Sequence, residues 1–261
     1  AHTRRVPGLN FRMDPAERTL ADEFNDAGYD TIYIGKWHLD GCRPSDPIPP
    51  ERQGRWQKWL GFELRNSHFD TWYFEDDDPT PKPLGKYQTD GLFELAMDRL
   101  GNRDSAGSPF CCILSVEPPH FPYEAPKELE KKWRRRDIEL PPTFEQPVEY
   151  PIPRSHWDGD DQHTRDIKLD RVRTYYAMIE NLDWNVGRLM EWLESENLVD
   201  ETIVIMTSDH GEMGGMHALP TAIKSYLFEE SIGVPLIVRD PQHAASAPSH
   251  VSEPTSTEDL F

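Results

Sequence analysis

Gly28-Tyr29-Asp30-Thr31-Ile32-Tyr33-Ile34-Gly35-Lys36-Trp37-His38-Leu39 is the stretch whose reading decides the fold. Thr31 to Ile34 are β-branched or aromatic with no charge between them, which reads as a buried strand. That strand should end at Gly35-Lys36-Trp37-His38, where the apolar run gives way to an ammonium and an imidazole. Upstream, Asp14-Pro15-Ala16-Glu17 predicts a helix start, with Asp14 as cap, Pro15 at the first helical position and Glu17 as the capping-box acid. Leu20 and Phe24 share a face of that helix, and Gly28 stops it.

Downstream the pattern repeats. Tyr87 to Leu100 reads as a helix closed by Gly101, followed by a second buried strand, Phe110 to Val116, which runs into Pro118-Pro119-His120-Phe121-Pro122-Tyr123. Tyr176, Ile179, Leu182, Val186, Leu189 and Leu193 recur at helical spacing within a long helix from Thr164 to Leu198. A third buried strand, Thr202 to Thr207, leads into Ser208-Asp209-His210-Gly211, and a fourth, Val234 to Val238, follows a helix-like segment from Lys224 to Ser231. Residues 41–85 are rich in Pro, Trp and Asp without a sustained period and read as long surface loops, and 137–164 reads as a Pro-rich loop insertion. Alternating helices and strands predict an α/β fold, a three-layer sandwich with a mostly parallel sheet covered on both faces.

Composition narrows the function. With 28 basic and 47 acidic side chains in 261 residues, the formal charge is −19, which excludes nucleic acid or an anionic membrane surface as the main partner. An anionic small molecule stays open, because a local cluster of Lys, His and metal overrides the net field. Phe110 to Val116 is far shorter than the ~20 apolar residues of a membrane span. Three cysteines cannot build a disulfide framework, and adjacent Cys111 and Cys112 read as core packing.

Lys36/His38, His120 and Asp209/His210 each follow the end of a predicted strand, the edge where open α/β sheets bind ligands. Lys36 and Lys224 are point charges suited to a tetrahedral oxyanion. His38 and His120 can move a proton near neutral pH, and Asp209 with His210 is half of a metal site. Together they suit hydrolysis or transfer of a sulfuryl or phosphoryl group.

The stretch Gly28 to Leu39 resembles the second signature of the sulfatases, a family of the alkaline phosphatase superfamily. Pro119-His120-Phe121-Pro122-Tyr123, the helix text from Tyr175 to Leu189, and Ser208 to Glu212 with Lys224 and Glu229 to Leu236 are similar to further blocks of that family. The resemblance implies an alkaline phosphatase-like sandwich across residues 1–261, forming a partial catalytic domain. It implies a sulfuric ester hydrolase that releases an alcohol and inorganic sulfate, acting on a small-molecule or carbohydrate sulfate ester. Asp209 and His210 would ligate a divalent ion, Ca2+ by family habit, with Mn2+ or Zn2+ open because an imidazole is a soft donor for calcium. Lys36, Lys224 and His120 would contact the sulfate, His120 would protonate the leaving alkoxide, and His38 would act beside the nucleophile.

That nucleophile is a formylglycine made from the cysteine of C-x-P-S-R, expected upstream of this chain. The 261 residues alone are therefore expected to be inactive. Cys42-Arg43-Pro44-Ser45-Asp46 nearly spells the motif but has Asp46 where arginine is required. Export to the periplasm or outside the cell is expected from the resemblance alone. The competing readings are a phosphonate or phosphate ester hydrolase of the same superfamily and a non-catalytic anion-binding relative. His217 reads as structural, and Asp76-Asp77-Asp78 as a solvated loop.

Overall fold

The central strand forms where its side chains need no solvent. In the computed structural model, β1 spans Asp30–Lys36 and its five inner residues are buried, flanked on both sides by parallel strands. The structure describes residues 11–41, 43–103, 107–144, 146–147, 164–224, 226–243, 250, 252 and 255–256. Cys42, His2, His156, His163 and the acids Asp158, Asp160 and Asp161 lie outside them, as does most of 137–164. The chain groups into two compact units, 1–122 with 181–189, and 123–180 with 190–261.

In the first unit, α1 is Leu20–Asp26. It begins later than expected. Asp14 closes a local turn by accepting from the Ala16 N–H at 2.9 Å, and Thr19 with Asp22 makes the capping box instead. Gly28 stops the helix with φ +80°, and the Tyr29 N–H reaches back to the Phe24 carbonyl at 2.9 Å.

Residues 41–85 are not only loops. They supply β2 (Lys58–Phe62), β3 (Trp72–Glu75) and β4 (Asp78–Pro83), and the sheet runs β4-β3-β2-β1-β5. β2 pairs parallel to β1, and its Trp59, Leu60 and Phe62 are fully buried, each stabilising the fold by ~1.5–3 kcal/mol. The β3–β4 pairing is antiparallel, with Asp76 and Asp77 between the paired residues Glu75 and Asp78. The Asp76 carboxylate accepts from the Trp59 N–H at 2.9 Å, so this acid belongs to a hairpin and not to a solvated loop. β4 carries Pro79, Pro81 and Pro83, which only a strand at the sheet's edge tolerates.

α2 is Gln88–Gly101, within a residue of the expected helix. β5, Phe110–Ser115, lies beside β1 in parallel register, Thr31 opposite Cys111 and Gly35 opposite Ser115. It is half-buried along its whole length and not fully buried as expected, because it pairs on one side only among the described residues. Gly35 has φ +109°, and a Cβ there would fall 1.9 Å from the Ser115 carbonyl oxygen. Only glycine allows β1 and β5 to approach this closely where β1 ends.

In the second unit, α3 (Lys127–Arg134) was not anticipated, whereas α4 (Arg165–Ser195, capped by Thr164) matches the periodic segment; its residues 181–189 group with the first unit. β6 (Val204–Thr207) and β7 (Leu236–Arg239) pair antiparallel in a two-stranded sheet, and α5 (Glu229–Ile232) precedes β7. β6 is not the fully buried strand expected, since its residues alternate between half-buried and exposed. The architecture is α/β with a mixed sheet whose parallel pairs surround β1.

Gly35→Ala in the full-length gene product is expected to cost about 3 kcal/mol or more, from overpacking and left-handed strain together. Denaturant unfolding measures this; wild-type stability would show that β1 and β5 do not need the close approach.

Candidate functional site

The strand ends gather the site in the first unit. Lys36 is the last residue of β1, and the chain leaving β5 places Glu117 and His120 at the same edge, as parallel neighbours must. Lys36 Nζ lies 3.2 Å from Glu117 Oε1, with the lysine side chain 17% exposed and the carboxylate 0%. Glu117 Oε2 accepts from Gln88 Nε2 and from the Asn66 N–H, each at 3.2 Å, and Gln88 Oε1 receives the Glu117 N–H at 3.0 Å. Burial pushes the Glu117 carboxyl up, but Lys36, the Gln88 hydrogen bond and nearby His120 outweigh it and hold the group below the ordinary glutamate range.

His120 is fixed from two sides. Its N–H donates to the Glu117 carbonyl at 3.0 Å, and its own carbonyl lies 2.8 Å from Nε2 of fully buried His68. Its Nδ1 lies 2.5 Å from the Phe121 carbonyl, an acceptor only, so Nδ1 donates. His38 adopts φ +54° and continues the pairing beyond β2, its N–H meeting the Glu63 carbonyl at 2.9 Å. Buried Glu63 then accepts the Asp40 N–H at 3.0 and 3.1 Å, which ties down the turn after His38.

In the second unit, Asp209 and His210 follow β6. Asp209 Oδ2 and His210 Nε2 are 3.5 Å apart, a separation two donors can have when they share one divalent ion. His210 Nδ1 donates to the Gly211 carbonyl at 2.8 Å, which leaves the Nε2 lone pair available, the tautomer a metal ligand needs. The two residues therefore fit an ion as a pair; among the described residues no cluster of three or more His, Cys, Asp or Glu forms. Gly211 is required here as well, since a Cβ would lie 2.1 Å from the Glu230 carbonyl oxygen.

Lys224 faces Glu212. Burial drives the Glu212 carboxyl up to about 8, opposed by Lys224 and by the Met213 and Ile223 backbone. Burial and Glu212 also raise the phenols of Tyr123 and Tyr175, the latter to about 12. His217 stacks on Phe228 at 4.2 Å and lies 3.3 Å from Glu230.

Of the predicted residues, Lys36 and His120 converge on Glu117, and Asp209 adjoins His210. His38 sits at the turn after β1, and Lys224 counters Glu212. Glu117, Gln88, His68 and Glu212 were missed. Glu117 carried a usable signal, an acid directly after a strand predicted to end beside a lysine. Gln88 and His68 carried none.

The Sulfatase family model matches residues 11–261. The chain is 30% identical over 255 residues to the Ulvan-active sulfatase of Formosa agariphila, covering 97% of this chain and 47% of that one. It is 30% identical over 172 residues to Iduronate 2-sulfatase of Homo sapiens, covering 59% and 31%. Among solved structures it resembles the putative sulfatase of Bacteroides fragilis with a TM-score of 0.75 and 27% identity, over 89% of this chain and 51% of that one. The chain belongs to the sulfatase family, and its α/β fold is that of alkaline phosphatase-like neighbours. It spans about half the length of the Formosa agariphila relative.

Glu117 gains stability from being ionised, so its contribution is full above the ordinary glutamate range and is lost as pH falls through its lower folded value. Glu117→Gln should therefore cost about 2 kcal/mol at about pH 7 and much less at about pH 3. Unfolding of wild type and variant at both pH values checks this; an equal gap at both would overturn it.

Proposed function

We propose that this chain is part of a sulfuric ester hydrolase that cleaves a sulfate ester, carried on a sugar, to the alcohol and inorganic sulfate. The observation that carries the reading is Lys36, locked by the buried Glu117 carboxylate beside His120 at the end of β1, in a chain of the sulfatase family. A carbohydrate ester is favoured by the sugar acid named in Iduronate 2-sulfatase.

The residues divide the work by charge. Lys36 and Lys224 hold the sulfate oxygens, whose negative charge shifts as the S–O bond breaks. Glu117 keeps the Lys36 side chain in place, so no reorganisation is needed when that charge moves. His120, its ring oriented by the Nδ1 contact with the Phe121 carbonyl, would donate a proton to the departing alkoxide oxygen. His38 would move the proton that releases sulfate from the nucleophile. Asp209 and His210 would hold a divalent ion, which when bound neutralises charge on the sulfuryl oxygens. The nucleophile that the sequence resemblance implies is a formylglycine. Export of the protein is part of the same proposal and follows only from the family.

In the full-length gene product, Lys36→Ala should lower kcat/KM on an aryl sulfate by about 10²–10³. His120→Ala should lower kcat by about 10²–10⁴ on an alkyl sulfate, and less on an aryl sulfate whose phenolate leaves without a proton. Steady-state kinetics on both esters, with an aryl phosphonate beside them, decide the reading; faster turnover of the phosphonate would overturn it. Prolonged dialysis against a chelator should abolish turnover, and a divalent ion should restore it; undiminished activity in the metal-free protein would remove Asp209 and His210 from their proposed role.

A further inference from the structure

Across residues 127–136, Lys-Glu-Leu-Glu-Lys-Lys-Trp-Arg-Arg-Arg, six side chains are basic and two acidic, in a chain whose formal charge is −19. Most of this segment is α3, and the helix sorts it into two faces. Leu129 and Trp133 pack inward on Ala125, Ala177 and Met178. Trp133 stacks on Tyr176 at 5.2 Å, and its Nε1 donates to Glu180 at 2.7 Å, while Lys132 bonds the other oxygen of the same carboxylate. That inner face is a rigid mount.

The outer face carries Lys127, Lys131, Arg134 and Arg135, all exposed. With Glu130 they line an open recess of about 400 Å³. Lys127, Lys131 and Arg135 recur every fourth residue, so their Cα atoms form a row about 12 Å long. Among the described residues, little neutralises this row. Lys131 and Arg134 reach only as far as Glu128 at 4.0 Å and Glu130 at 3.9 Å. Among the described residues, Lys127 and Arg135 make no side-chain ion pair. Glu130 is partly occupied with the Ala125 N–H, at 3.1 Å.

We propose that the outer face of α3 is a binding site for a sulfated polysaccharide, holding sulfate groups of the polymer other than the ester being cleaved. The proposal rests on the sulfatase reading above and extends its substrate class to a polymer. A polyanion suits this face for two reasons. Rigidly mounted cations in a row lose little freedom when they meet a chain of repeating anions. They also provide the local attraction that a protein of net charge −19 needs in order to approach such a chain. An anionic membrane is the poorer partner, because no large apolar side chain on this helix is exposed enough to enter a bilayer.

The test uses the full-length gene product, its Lys127→Gln/Lys131→Gln/Arg135→Gln variant, and a fluorescent heparin-derived octasaccharide as probe. Anisotropy titrations at two salt concentrations should give binding by the wild type that weakens with salt. The variant should bind at least about tenfold more weakly and with a shallower salt dependence. Its melting temperature and its kcat/KM on an aryl sulfate should be those of the wild type.

Absence of wild-type binding, or equal binding by the variant, would overturn the site. So would tighter binding of anionic vesicles or duplex DNA than of the octasaccharide through the same three residues. Loss of binding in the variant, in a protein that hydrolyses no sulfate ester, would uphold the site and overturn the sulfatase reading instead.

Discussion

A carboxylate with no exposure to water is expensive unless an opposite charge and hydrogen-bond donors compensate it, and Glu117 is the group around which the first unit is arranged. Its partners come from four places in the chain: Lys36 from the end of β1, Gln88 from the first residue of α2, Asn66 from the loop after β2, and His120 from the segment beyond β5. None of these can move far without stranding a buried charge. The close approach at Gly35 serves the same end, since it brings the last residue of β1 beside the chain that carries Glu117. A cation held in this way is already oriented before any anion arrives, which is what electrostatic catalysis requires.

The two buried glutamates show how fine the balance is. Each faces a lysine, yet Glu117 is held below the ordinary range and Glu212 is pushed up to about 8. The difference lies in hydrogen bonding as well as charge. Glu117 receives a side-chain amide and a lysine contact of 3.2 Å in addition to a backbone N–H. Glu212 has the charge of Lys224 and backbone donors but no side-chain amide; in both glutamates Oε1 is buried without a hydrogen bond. Burial is common to both; the close lysine and the Gln88 amide decide the sign at Glu117.

Much of this was legible in the sequence where an element is long or sits between strands. The α2 and α4 helices carry sustained periodicity, and β1 is a β-branched run buried on both faces, so their positions followed from pattern alone. β2 and β3 were hidden because four or five residues are too few to display a period, and tryptophans scattered among prolines look like loop text. β4, with three prolines, is strand only because an edge needs fewer backbone donors. The start of α1 was misplaced because Asp14 and Thr19 both carry capping chemistry, and the box that closes is the one with Asp22. At the candidate site, Lys36, His38, His120, Asp209 and His210 stood in recognisable motifs, whereas Gln88 and His68 matter only through contacts between segments far apart in sequence.

Net charge misleads most when it is read as a single number. Fields from exposed acids fade within about 8 Å at physiological salt, so a total of −19 repels a distant polyanion without deciding what happens at contact. Contact is decided by where cations are concentrated and how firmly they are held. Lys36 is a single ammonium in a largely dry setting, held in position by Glu117. The cations of α3 are individually weak because they are solvated, and their effect comes from number and spacing. The first arrangement suits one sulfuryl group at a reacting bond; the second suits a chain of them. An acidic protein that acts on an anionic substrate needs at least the first, and needs the second only if the substrate is long.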